Sequence, residues 1–199
     1  MTTSARAAPF FSGKLWEVTP AQAGTNNLPA IIAGLGTPNF TWTDSTIAFS
    51  SFGNATDTGN PTQDYTIGTW LTSLGAASSI LAHSASLTDS IDNTITQITG
   101  QAHFVHGTTY TVTHDDGVRL IVNGVTEISA DGPNSPETSS FLYTGLTGDA
   151  AVTLDYQECC GPPAVLQANL VAAPEPMSIA LLGAGLFGLG IIRHRCSQV

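Results

Sequence analysis

The chain has 199 residues, a formal net charge of −10 and only 10% charged residues. Arg6, Arg193 and Arg195 stand near its ends, so Lys14 and Arg119 are the only basic side chains of residues 7–172. That balance excludes nucleic acid as a partner, because binding there depends on neutralised phosphates. The body is long enough for one domain core, and its wealth of Thr, Ser, Asn and Gly suits the strands and turns of an exported β protein.

The chain opens on Met-Thr-Thr-Ser-Ala-Arg-Ala-Ala-Pro, with one arginine and no apolar run. Ala5-Arg6-Ala7 before Ala8-Pro9 has the small residues of a cleavage site. Residues 1–8 are therefore read as the end of a secretory signal whose start lies upstream. Residues 9–172 form the body. Strand patterns fall at Phe10–Val18, Phe40–Phe49, Thr94–Val105, Thr108–His114, Arg119–Val122, Val125–Ser129, Ser139–Tyr143, Ala150–Tyr156 and Ala164–Leu170, with turn residues between them. The Ala/Ser/Leu-rich stretch Trp70–His83 is the one expected helix. Asn54–Gln63 and Ala130–Thr138 read as loops. Regular short strands without helical crossovers predict an all-β protein, an antiparallel β-sandwich.

The most informative stretch is His106–Ile128. Tyr110 and Val112 alternate with Thr109, Thr111 and Thr113, as in a half-buried strand. The strand runs into Asp115-Asp116-Gly117. A second strand, Arg119–Val122, meets Asn123-Gly124, the dipeptide favoured in type I′ hairpin turns. Adjacent carboxylates repel, and both stay ionised only beside a cation or several donors. Two readings stand open: a turn in which an Asp side chain caps backbone amides and Arg119 pairs with a carboxylate, or a cation site built on Asp115 and Asp116.

This block resembles the PA14 superfamily, a set of β-sandwich modules of glycosidases, toxins and yeast flocculin-type adhesins. Gly107, Tyr110, Asp115, Asp116, Gly117, Arg119, Leu120, Val122, Asn123 and Gly124 follow its pattern, with Val112 in place of an aromatic. Ala151–Tyr156 resembles its I-x-I-x-Y strand, and Cys160–Ala168 its Gly-rich loop and last strand. The resemblance covers residues 98–170. In the flocculin-type branch an adjacent Asp pair joined by a cis peptide holds calcium, which in turn holds sugar hydroxyls. Carried over, Asp115 and Asp116 are the calcium ligands. The second contributing loop falls near Gln157–Pro163, with Glu158, Cys159, Cys160 and Gly161 as the ligand-binding stretch. That loop lacks the family's asparagine, so Glu158 and backbone carbonyls take its place.

Other chemistry is thinner. Cys159 and Cys160 are adjacent and read as two small loop residues rather than a disulfide, and no metal-type cysteine spacing occurs. His103, His106 and His114 lie on different parts of two strands, which does not make a zinc site. No Gly-x-Ser-x-Gly elbow is present and nothing selects a pair of catalytic carboxylates. The protein is read as a non-enzyme. Trp16, Trp42 and Trp70 offer either a stacking face for sugar or, by preference, core packing.

The chain closes on Pro174-Glu175-Pro176, an apolar run over 177–192, and Arg193-His194-Arg195. As a helix the run would span about 24 Å, short against a bilayer core of about 30 Å. Its apolarity all round speaks against a surface helix of a globular core, and the basic end would stay cytoplasmic. These three parts in this order resemble the PEP-CTERM sorting signal of Gram-negative bacteria, read by an exosortase-type membrane transpeptidase. The resemblance marks Pro174, Glu175, Pro176, Arg193 and Arg195 as the sorting motif of a segment 173–199 that ends in a short transmembrane helix. It implies delivery to the cell surface or the exopolysaccharide matrix. The combined expectation is an exported protein that binds polysaccharide with calcium assistance. The alternative is a structural matrix protein with no specific ligand.

Overall fold

The computed structural model describes residues 10–51, 65–73, 78–83 and 85–173. The sorting motif, the apolar run 177–192, the N-terminal residues 1–8 and the whole expected loop Asn54–Gln63 lie outside the described residues. Among the described residues, no helix is long and apolar enough to cross a membrane.

Residues Phe10–Ala173 form one unit. Its strands are β1 (Phe11–Glu17), β2 (Phe40–Asp44), β3 (Thr46–Ser51), β4 (Ser78–Ala82), β5 (Thr94–Phe104), β6 (Thr109–Asp115), β7 (Val118–Val122), β8 (Val125–Ala130), β9 (Glu137–Leu142), β10 (Gly148–Glu158) and β11 (Ala164–Val171). The short helices are α1 (Pro20–Ala23), α2 (Leu28–Ile32) and α3 (Ile67–Thr72). One sheet has the order β4-β2-β1-β5-β10-β7-β8, the other β3-β11-β6-β9, and all pairings are antiparallel. The fold is therefore the expected antiparallel β-sandwich.

The strands form because their sequences alternate. β2 and β7 bury every second residue, and β6 buries Tyr110, Val112 and His114, which gives each sheet one core face. The two inner faces share a single apolar cluster. In it Trp42 of β2 meets Phe49 of β3 edge-on, and Phe104 of β5 meets Tyr110 of β6. The long strands β5 and β10 pair along their full length, Gly148 opposite Phe104 and Glu158 opposite Thr94. They form the spine that carries the end of β10 to the site.

Three expectations change. Phe40–Phe49 is not one strand: the Asp44 carboxylate accepts from Thr46 N (3.1 Å) and diverts the chain from one sheet to the other. Trp70–His83 is not one helix. Helix α3 begins earlier, at a capping box of Thr66 and Thr69, and stops at the extended residue Ser73, whose hydroxyl bonds Trp70 O. The segment that follows pairs as the edge strand β4 against β2, because a free strand edge outweighs weak helical propensity. Helices α1 and α2 were not expected, although Thr19 and Gln22 make a capping box with Pro20 in the first turn, a signal legible in sequence.

Candidate functional site

Three inter-strand loops meet at one end of the sandwich. The first, Asp115–Gly117, carries the chain from β6 in the four-stranded sheet to β7 in the seven-stranded one. Gly117 is required there: a Cβ would lie 2.7 Å from the backbone of Gly132 and 2.9 Å from the Gln157 side chain. The second loop, residues 131–136, joins β8 to β9. It is held by Asp131, which takes a two-pronged ion pair from Arg119 (3.1 and 2.7 Å) and a hydrogen bond from the Leu28 backbone N–H (3.1 Å). The third, Cys159–Pro163, joins β10 to β11. Between the loops lies a cleft of about 390 Å³, lined by the Asp115-Asp116 pair, the Pro133–Pro136 segment and the Cys159–Pro163 segment.

The Asp115-Asp116 peptide is cis, as the PA14 resemblance implies for a flocculin-type pair, and Pro162-Pro163 is cis as well. Both aspartates are buried, but their surroundings differ. Asp116 is fully employed: Oδ1 accepts from Asn134 N (3.1 Å) and Oδ2 from Cys159 N (2.8 Å), so one carboxylate ties the three loops together. Its carbonyl accepts from His114 Nδ1 (2.5 Å), whose Nε2 meets Ser139 Oγ (3.0 Å). The Asp115 carboxylate has no hydrogen-bond partner among the described residues, and Asp115 lines the cleft. Burial, reinforced by the adjacent Asp116 charge, pushes Asp115 up to about 6. Asp116 is also raised by burial, and its two amide donors hold it back.

The turn reading describes Asp116, and the cation reading is left with Asp115. Asp116 caps amides and Arg119 pairs with a carboxylate, while Asp115 is a buried, undercompensated charge at an opening. Such a charge suits a hard cation. The chemistry of the lining fits calcium in kind: the Asp115 carboxylate, with the oxygen-bearing Asn134 and Cys159–Pro163 loops lining the same cleft. It is not a carboxylate cage, and no group of three or more His, Cys, Asp or Glu is placed to hold a metal among the described residues.

Glu158 does not line the cleft. It is fully buried, with Tyr65 Oη at one carboxyl oxygen and Tyr156 Oη at the other. Tyr156 Oη also donates to the Asp115 carbonyl. One hydroxyl hydrogen cannot serve two acceptors fully, and a carbonyl only accepts. The Tyr156 hydrogen therefore goes to Asp115 O, and the proton between Tyr156 and Glu158 belongs to Glu158. Burial is the largest cause pushing Glu158 upward, to about 10, against the pull of the two tyrosine hydroxyls. Glu158 is a neutral strut beneath the cleft.

Cys159 and Cys160 form a disulfide between neighbours, contrary to the expectation of two free loop thiols. Cys160 sits at φ +71° and Gly161 at φ +100°; sequence alone could not give those dihedrals. Asn134 is the contact that sequence reading missed. It lies in a Gly-Pro-Asn-Ser-Pro loop whose composition signals a turn and nothing about its partner. The three tryptophans are buried, Trp70 completely and Trp42 at 3% exposure, so they pack the core. His103 pairs with Asp149 (2.8 Å), His106 Nδ1 meets Gly145 O, and His114 is buried at Asp116; the three do not converge.

No protein-family model and no curated protein matches the chain. Solved structures do. A PA14 sugar-binding domain from an RTX adhesin aligns with a TM-score of 0.57 at 20% identity, covering 81% of this chain and 88% of that one. The PA14 domain of the MpAFP antifreeze protein aligns with a TM-score of 0.55 at 21% identity, covering 86% of this chain and 88% of that one. The fold is of the PA14 type.

Proposed function

We propose that the protein is an exported glycan-binding module. In this reading its loop-end cleft holds a calcium ion on Asp115, and the ion holds sugar hydroxyls. The observation that carries it is the buried Asp115 carboxylate, without a donor of its own, at the mouth of a cleft on a PA14-type sandwich. The sugar-binding name of the RTX adhesin domain supports the ligand class. When bound, calcium would supply a Lewis-acidic centre that exchanges water for hydroxyl oxygens. Asp115 would contribute charge, Asp116 would keep the three loops in register, and the loop carbonyls would complete the oxygen set.

Calcium titration of the full chain by calorimetry, beside Asp115→Asn, tests the reading. Saturable heat that the variant lacks supports it, followed by calcium-dependent retention on an immobilised polysaccharide. An identical flat titration of both proteins moves the function to a structural matrix protein without a ligand. The C-terminal segment from Pro174 is proposed as the sorting address. It would carry the domain to the surface or matrix through an exosortase-type transpeptidase and span the membrane transiently. Co-expression with such an enzyme should shorten the chain by the tail, and substitution of Pro174, Glu175 and Pro176 should leave it whole.

A further inference from the structure

The disulfide between Cys159 and Cys160 needs a role other than stapling. In the chain-entropy account a cross-link stabilises by closing a loop, and the benefit grows with loop length. This bond joins sequence neighbours, so it restrains almost no chain. What it does is shape a surface. Cys159 is buried at 2% exposure while Cys160 is exposed, and both line the cleft beside Asp115. Among the described residues, no aromatic side chain lines that cleft. Its apolar material is the disulfide together with Pro133, Pro136, Pro162 and Pro163. The lining thus combines carboxylates with sulfur and proline carbon. Sulfur is polarisable and packs well against C–H groups.

We propose that the Cys159–Cys160 disulfide is a ligand-contacting, specificity-determining wall, taking the C–H face of a pyranose ring whose hydroxyls turn toward Asp115. The inference rests on the glycan reading above and adds the contact that would select a ring with one apolar face. It also separates two jobs within one dipeptide. The backbone N–H of Cys159 anchors Asp116, and the sulfurs meet the ligand.

The test is Cys159→Ser/Cys160→Ser in the full chain, which keeps the anchoring amide and removes the sulfur–sulfur bond. Calcium affinity and affinity for a panel of methyl pyranosides are measured with calcium present. Expected, at calcium saturating for each protein, is pyranoside binding weakened about tenfold. Wild-type protein treated with a phosphine reductant should show the same loss, which guards against a variant that fails to fold. Equal pyranoside affinity with and without the disulfide overturns the proposal, as does wild-type protein that takes calcium and no pyranoside. Disulfide-dependent sugar binding without any calcium heat would sink the cation reading and leave the wall standing.

Discussion

Two adjacent aspartates with the same sequence signal have different physical tasks, and substitutions should separate them. Asp116→Ala removes the acceptor for the Asn134 and Cys159 amides and should cost about 1–3 kcal/mol in chemical denaturation, since the buried Cys159 amide loses its partner. Asp115→Asn removes a charge that nothing in the fold compensates, so calcium-free stability should hold or rise. Calcium at about 100 times its Kd should add about 2.7 kcal/mol to the wild type and nothing to Asp115→Asn. Glu158 gives a pH signature. Its folded value is raised above its ordinary one, to about 10, so the folded state binds the extra proton. The associated stability is complete below the ordinary glutamate value. It is lost progressively as the pH rises from there through about 10. Thermal melts of the wild type should therefore decline across that window, and Glu158→Gln, neutral throughout, should flatten the decline.

At the scale of elements, the sheet's first pairing depends on a missing side chain. A Cβ on Gly13 of β1 would lie 2.1 Å from the Trp42 ring on β2. Gly13→Ala should destabilise by about 1–3 kcal/mol through overpacking, seen as a lower denaturation midpoint. The β7–β8 hairpin shows the opposite case, a turn whose residues announce it. Asn123 and Gly124 take φ of +48° and +81°, and the Asn123 side chain accepts from Ala151 N (3.0 Å). Strands with clean alternation, such as β6 and β7, were legible because one face is buried. β4 was not, because an edge strand takes its identity from the neighbour it pairs with. The split between β2 and β3 turned on one side chain, Asp44, capturing one amide.

For the whole molecule, Trp70 is the keystone of the sandwich. Helix α3 inserts it so that its ring stacks on Phe49 of one sheet and Tyr156 of the other, with Trp42 edge-on. Trp70→Ala should cost about 3–5 kcal/mol and lower the cooperativity of unfolding. Tyr156 leads from that aromatic stack to the Asp115 carbonyl. Loss of Trp70 should therefore also weaken calcium binding measured on the folded fraction.

Sequence by itself determined the all-β class, the hairpin at Asn123-Gly124, and the Asp115-Asp116 pair as the place to look. The first two depend on period-two burial and on a dihedral preference local to two residues, and the pair stands out as adjacent like charges. Tertiary structure decided the rest of the site. Only the packing of two sheets brings the loop of Asn134 and the loop of Cys159 onto Asp116, and only the amides those loops supply separate a capping carboxylate from a free one. Glu158 changed from an expected ligand to a buried strut because Tyr65, 93 positions away, arrives beside it in the fold. Hydrogen-bond partners at such separations are set by register and burial, which no local pattern of residues encodes.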